Sequence, residues 1–404
     1  MSAQSQVLLL TNNFPPVRGG SGAVYANLAR CAAARILVLA PRCSYADGLP
    51  LIGWREYDRL ACFRVDRLTL LRTTMGLRRG VARKVLFKVD DFLIRSRLVW
   101  SVLRLMGREK ISAVCVGELL ASGWILQLLR YLPRIRSLVY VHGEEITTDD
   151  PYDPEFARRR RALLAADRIV VVSRFTHRAV LALLGESHAK RIVLIENGVD
   201  TTRFYPAPRD QELMNRYRLT GHFVFVTVCR LLEKKGVDQT LRAFAQLLRE
   251  HVNTRYLIVG SGPYEPTLRA LAADLSIDHA VEFAGNVVEH ELVDHYRLGD
   301  VFVMPNRALD NGDTEGFGLV FLEANSCGLP VIAGRDGGSI DAVRDEENGL
   351  VVNGHSVPGI YTAMARLRAD AALRTRIGQL SLAAARNADW NGRADAFLRT
   401  CLED

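Results

Sequence analysis

No stretch of this 404-residue chain approaches the ~18 consecutive apolar residues that a membrane-spanning helix needs. Its amino terminus, MSAQSQVLLLTNNFPP, lacks a basic region followed by a long apolar one, so neither export by that route nor integration into a bilayer is expected. Cysteine is sparse and unpatterned. The seven residues Cys31, Cys43, Cys62, Cys115, Cys229, Cys327 and Cys401 are odd in number and never spaced as CxxC, which favours reduced thiols in a cytosolic compartment over a disulfide framework or a structural zinc. Short repeats and low-complexity segments are also missing.

What is present is the balance of a globular protein: hydrophobic residues make up 49% and charged residues 24%, which excludes a disordered or fibrous chain. The length calls for two domains or three. The net charge of +8 is unevenly spread, because Arg72 to Lys110 holds eleven Lys or Arg against Asp90, Asp91 and Glu109, a local excess of +8. Within it, residues 81–106 place Val85, Phe92, Val99, Leu103 and Met106 at helical spacing with basic residues between them. Such a basic amphipathic helix suits an anionic membrane surface, and equally a core-facing helix with a solvated basic side. No nucleic-acid motif or aromatic-interleaved basic stripe accompanies the charge, so no nucleic-acid partner is expected.

Short branched-aliphatic runs alternate with longer helical patterns, the signature of parallel sheets covered by helices. VLLL (7–10), ILVLA (36–40), AVCV (113–116), SLVYV (137–141), RIVVV (168–172) and IVLI (192–195) are strand candidates in the first half. The pattern pauses over 198–221, rich in turn formers, and restarts with FVFVTV (223–228), TRYLIVG (254–260), VEF (281–283), VFVMP (301–305) and PVIA (330–333). Two doubly wound α/β domains in tandem are predicted: 1–200, a linker at 201–220, then 221–385. The helical tail, 386–404, is expected to pack back toward the first domain. Open α/β sheets bind ligands at the carboxyl ends of their strands, so chemistry is sought in strand-to-helix loops.

Four loops qualify. TNNFPPVRGGSGAVYANLA puts Gly19 and Gly20 before a helix, where backbone N–H groups and the helix dipole favour a phosphate; Tyr25 stands where a dinucleotide fingerprint needs its third glycine. CRLLEKKG offers Arg230 and Lys235, a guanidinium fork and a point charge suited to a diphosphate, although two such cations alone would equally make a surface cluster. DTEGFGLVFLEANSCGLP (313–330) brackets an apolar run with Glu315 and Glu323. Eight residues at ~100° each do not bring them onto one helical stripe, so both meet one ligand only if the helix starts after Glu315. Its free N–H groups would then lie near Phe317, Gly318 and Leu319. YVHGEEIT places His142 after a strand end, either a structural histidine or a sugar partner.

R-x4-K in RLLEKKG, followed about eighty residues later by E-x7-E in EGFGLVFLE, resembles the paired signature of retaining nucleotide-sugar glycosyltransferases of family 4, which have the GT-B fold. FPPVRGG, VHGEE, IENGVDTTRF, IVGSGP and FAGNV match further stretches in the family's order, from about residue 7 to residue 350. The resemblance implies two Rossmann-like domains facing across a cleft. It implies that Arg230 and Lys235 hold the donor diphosphate, that Glu323 binds ribose hydroxyls, and that Glu315 and His142 contact the transferred sugar. Backbone at Phe317, Gly318 and Leu319 would lie near sugar and phosphates, Val287 would flank the base, and Gly20 would line the phosphates.

Transfer with retention through an oxocarbenium-like transition state is implied. Metal and cofactor are not expected, since two cations and a helix N-terminus can stabilise the leaving diphosphate and no Asp-x-Asp pair sits at a strand end. Residues 304–338 look especially like bacterial mannosyltransferases acting on phosphatidylinositol and on lipid-linked or cell-envelope glycans, which leans toward GDP-mannose. The expected partners are a nucleotide sugar, a glycan or lipid-linked acceptor, and an anionic membrane at 81–106 if that helix binds one; the expected place is the cytoplasm, peripheral to the inner face of the membrane in that case. A sugar-nucleotide 2-epimerase of similar architecture and a non-catalytic glycosyltransferase partner stay open as alternatives.

Overall fold

The computed structural model describes residues 5–17, 19–74 and 81–403, and of 81–85 the backbone alone. These residues form two compact units: one runs up to Glu196 and takes in the segment from Trp390 onward, the other is Asn197–Asp389.

The first unit is built on a sheet of seven parallel strands, β1 (Gln6–Leu10), β2 (Ile36–Pro41), β3 (Arg64–Leu68), β4 (Ile111–Val116), β5 (Arg136–Val141), β6 (Arg168–Val171) and β7 (Ile192–Leu194), in the order β3-β2-β1-β4-β5-β6-β7. In register, Leu8 of β1 faces Leu37 on one side and Val114 on the other. The central strands are continuous apolar runs because both faces are covered; Leu8, Val114 and Val139 are wholly buried. The second unit repeats the plan with six parallel strands, β8 (Phe223–Val228), β9 (Thr254–Val259), β10 (Val281–Gly285), β11 (Val301–Met304), β12 (Val331–Gly334) and β13 (Gly349–Val352), ordered β10-β9-β8-β11-β12-β13. In each sheet the order reverses beside the first strand of the unit, the crevice where such sheets take ligands.

Two strands escape the sequence pattern. β3 reads RVDRL and is a sheet edge whose Arg64 and Asp66 pair with one another, so its polar content hides it. β13 is a four-residue edge that opens on a glycine. Residues 201–220, which the turn formers mark as a linker, lie in the second unit. Pro206 and Pro208 are exposed there, but Phe204, Leu213, Met214 and Leu219 are buried, and the Asp210 carboxylate caps helix Gln211–Arg216 by accepting the Leu213 N–H at 2.9 Å.

The tail forms helices Val357–Ala369, Ala371–Asn387 and Trp390–Leu402. The last packs on helix Gly20–Cys31 and β4 within the first unit, burying Trp390, Ala394, Phe397 and Cys401. Helix Val81–Arg108 departs from its expected stripe: Leu98, Val102 and Leu105 turn inward, while Phe92 and Leu103 are 69% and 49% exposed. Six residues at ~100° each put Phe92 about 120° round the helix from Leu98, so the expected stripe and the inward one lie on different faces. The Val85 side chain falls outside the described set. Among the described residues no helix is long and apolar enough to cross a membrane.

Candidate functional site

In the second unit the chain leaves β8 through Cys229–Leu232 into a single 3-10 turn, Glu233–Lys235, before helix Val237–Glu250. The neighbouring loop after β9 supports this turn at backbone level, with Leu231 N–H donating to Ser261 O at 3.0 Å. A Cβ on Gly260 would stand 1.9 Å from the Cys229 carbonyl oxygen, and φ there is +123°, so only glycine permits the approach. The physical content of the IVGSGP motif is thus a close backbone contact that sets the Arg230 loop.

Lys235 is half-buried and its Nζ pairs directly with a carboxylate oxygen of Glu315. Burial raises the Glu315 pKa, but the Lys235 charge and hydrogen bond, the Lys234 charge and the Phe317 N–H together outweigh it, and the carboxyl lies below its usual range. Lys234, buried, donates to Asp313 at 2.6 Å and to the Thr314 carbonyl at 3.3 Å. Arg307 grips Asp238 through two bonds of 2.7 and 3.1 Å. Adjacent lysines thereby tie Asp313, Thr314 and Glu315 to the turn after β8. Lys234, Asp313, Asp238 and Arg307 were not singled out from sequence; the doubled lysine was the one visible signal.

Helix Leu319–Ser326 begins after Glu315, as a shared ligand requires. Its N-cap is Gly318 at φ +90°, with no side-chain cap on the first turn, which leaves N–H groups near Leu319 to a ligand. Phe317 and Gly318 are buried and Leu319 is half-buried. Glu323, one turn in, accepts the Tyr296 hydroxyl at 2.6 Å on Oε2, while Oε1 takes no hydrogen bond from a described residue. Burial raises the Glu323 pKa, and the Tyr296 bond opposes this only in part. Val287 is buried just beyond β10. Arg230 is exposed, and its side chain makes no ion pair or hydrogen bond among the described residues.

The first unit carries the other sequence-derived residues. Gly19 is the N-cap and Gly20 the first residue of helix Gly20–Cys31, both exposed. The preceding loop is anchored by Glu118, which accepts the Thr11 hydroxyl and the Asn12 N–H, each at 2.7 Å. His142 follows β5, half-buried; its N–H and that of Gly143 donate to Glu145 at 2.7 and 3.0 Å. Burial takes the Glu145 carboxyl up to about 7 and the His142 imidazole down to about 3. His142 Nε2 lies 2.7 Å from the Tyr25 hydroxyl. Nothing in the sequence points to the contacts of Tyr25, Glu118 and Glu145, because their partners are distant in the chain or are backbone groups.

Two family models cover most of the chain: Glycosyltransferase Family 4 over residues 18–203 and Glycosyl transferases group 1 over residues 210–381. The chain is 35% identical to a GDP-mannose-dependent alpha-(1-6)-phosphatidylinositol monomannoside mannosyltransferase of Mycolicibacterium smegmatis over 90% of its own length and 89% of the relative's. It is 35% identical to a GDP-mannose-dependent monoacylated alpha-(1-6)-phosphatidylinositol monomannoside mannosyltransferase of Corynebacterium glutamicum over 94% and 92%. Anabaena HepE, crystallised with UDP and glucose, superposes with a TM-score of 0.78 at 17% identity, over 99% of this chain and all (100%) of that one. The glycosyltransferase WaaG of lipopolysaccharide biosynthesis gives a TM-score of 0.66 at 16% identity, over 98% and 100%. With two parallel-sheet α/β units of the GT-B fold class and relatives matched over nearly their full length, the chain belongs to glycosyltransferase family 4.

Proposed function

We propose that the protein transfers mannose from GDP-mannose to a phosphatidylinositol-based or other lipid-linked glycan, with retention and without a metal. The observation that carries the reading is the joined pair Lys235 and Glu315 beside the uncapped start of helix Leu319–Ser326. An ammonium has three donors and Glu315 occupies one, so Lys235 keeps others for the diphosphate. Arg230, exposed and uncommitted, adds a fork for the same oxygens. Negative charge that develops on the departing nucleotide is met by these two cations, Lys235 held in place by Glu315, and by backbone N–H groups, the job a metal does in other designs.

Glu315, its carboxyl held low, is a poor base and serves as an acceptor for sugar hydroxyls. Glu323 Oε1 accepts from the ribose. His142 contacts the sugar, Gly19 and Gly20 border the phosphates, and Val287 flanks the base. In the transfer step the acceptor hydroxyl oxygen bonds to the anomeric carbon on the face from which the carbon–phosphate oxygen bond breaks, and the hydroxyl proton passes to that phosphate oxygen. Mannose and the lipid acceptor are favoured because the mycobacterial and corynebacterial relatives are named for GDP-mannose and phosphatidylinositol mannosides.

The membrane is met by helix Val81–Arg108. Leu86, Phe87, Phe92 and Leu93 are exposed beside Lys88, Arg95 and Arg97, which suits an anionic interface at the cytoplasmic face. Labelled GDP-mannose with phosphatidylinositol mannoside vesicles tests the reading. Labelled lipid formed undiminished in EDTA supports it; exclusive use of another nucleotide sugar, or loss of turnover on chelation, contradicts it. Binding to anionic vesicles should weaken with salt and with Lys88→Glu and Arg97→Glu together. Salt-independent or absent binding would remove the membrane role.

A further inference from the structure

The His142 ring is fixed on several sides. It stacks on Tyr140 at 5.0 Å between centroids with planes 21° apart, and meets Tyr25 edge-on at 5.2 Å. Glu145 holds its backbone by accepting the His142 N–H at 2.7 Å. What the ring offers a ligand then depends on which nitrogen bears the proton, and the neighbouring hydrogen bonds decide that.

Tyr25 sits wholly buried in helix Gly20–Cys31. Its hydroxyl is in hydrogen-bond contact with two atoms, the Gly117 carbonyl oxygen and His142 Nε2. A phenol has one proton to give, and a carbonyl oxygen can only accept. The Tyr25 proton therefore goes to Gly117, since otherwise two oxygens would face one another at close range with no hydrogen between them. The Tyr25 oxygen is left as an acceptor, and Nε2 must carry the hydrogen that fills it. Burial keeps the phenol protonated, with its pKa well above 10.0, and keeps the imidazole neutral. Glycine at 117 is part of the device: a Cβ there would stand 2.8 Å from the Tyr25 hydroxyl oxygen and ring. Nδ1 takes no hydrogen bond from any described residue, so it is the ring atom left for a ligand.

We infer that Tyr25 is a positioning residue for His142: relaying the Gly117 carbonyl to Nε2–H, it locks the imidazole in the tautomer with a bare Nδ1, so that His142 meets the transferred sugar as an acceptor for one hydroxyl hydrogen. The inference rests on the proposed contact between His142 and the sugar. It adds that the contacted sugar position must carry a hydrogen-bond donor. It adds also that His142 delivers no proton to the leaving phosphate, leaving that charge to Arg230 and Lys235.

The test has two arms. In the first, the full chain is labelled with 15N-histidine, the His142 signals are identified by their loss in His142→Gln, and the two ring nitrogens are read at pH 7. Expected in the wild type is one protonated Nε2 and one unprotonated Nδ1, and in Tyr25→Phe the averaging of the two. A proton on Nδ1, or averaging already in the wild type, overturns the inference whether or not Tyr25→Phe folds. In the second arm, kcat/KM for the nucleotide sugar should fall about tenfold in Tyr25→Phe, the order of one hydrogen bond. That difference should vanish for the single deoxy-sugar donor that lacks the contacted hydroxyl. A fixed Nε2–H tautomer with the difference retained for every deoxy donor would leave the tautomer standing and sink the sugar contact.

Discussion

At the scale of residues, Lys235 and Arg230 share one proposed ligand but stand in different surroundings, and their substitutions should separate accordingly. Lys235→Ala leaves the largely buried Glu315 carboxylate without its cation, so both transfer and stability should suffer: about 10²-fold or more in kcat, and about 1–3 kcal/mol in urea unfolding. Arg230→Ala removes an exposed side chain with no partner among the described residues, so transfer should fall by a similar factor with stability within ~0.5 kcal/mol of wild type. Equal stability losses in the two variants would show that Lys235 is not committed to Glu315.

His142 gives a prediction in pH. Its imidazole goes from an ordinary 6.5 down to about 3 through burial. Between those values the unfolded chain binds a proton that the native chain refuses. The stability conferred by the neutral ring is therefore complete above pH 6.5 and drains away as pH falls toward 3. Urea unfolding at pH 7 and pH 4.5 should show a larger loss on acidification for the wild type than for His142→Gln. Matching losses would mean that the ring is not desolvated.

At the scale of elements, the loops of the second unit are held by close backbone approaches more than by side chains. Gly260→Ala would force a methyl against the Cys229 carbonyl at a φ that L residues avoid. It should cost about 2 kcal/mol or more and weaken nucleotide-sugar binding, since the displaced loop supports Arg230; titration calorimetry and thermal unfolding read the two effects. An unchanged melting temperature would contradict the contact.

Much at this scale was legible in the sequence: the apolar runs of the central strands, the helix that starts after Glu315, and the loops that carry Arg230 and Lys235. The edge strand β3 was not, because an edge can afford Arg64, Asp66 and Arg67 where a central strand cannot. Nor was the network that surrounds His142. Tyr25 and His142 are 117 residues apart, and a lone tyrosine in an alanine-rich helix gives no periodic signal of its partner.

At the scale of the molecule, the carboxyl-terminal helix belongs to the core of the unit that begins the chain. Phe397 lies 6.0 Å from the Tyr140 ring, which itself stacks on His142. Phe397→Ala should cost about 3–5 kcal/mol, visible as a lowered melting temperature, and a chain ending at Asp389 should lose the first unit's cooperative unfolding. A truncated chain that unfolds like the whole would refute this role. The sequence shows a helical tail expected to return toward the first domain, while the partners it finds there, Tyr140 and the helix that bears Tyr25, are decided by packing.

The fold, its two sheets and its family follow from pattern and similarity together; the proposed chemistry is assigned chiefly to four side chains, Arg230, Lys235, Glu315 and Glu323. The most direct test is turnover of a nucleotide sugar by the wild type, Arg230→Ala and Lys235→Ala, each first confirmed folded. Expected is transfer by the wild type with loss of at least about 10²-fold in both variants. Near wild-type turnover in either variant would contradict the assignment of the leaving diphosphate to these two cations.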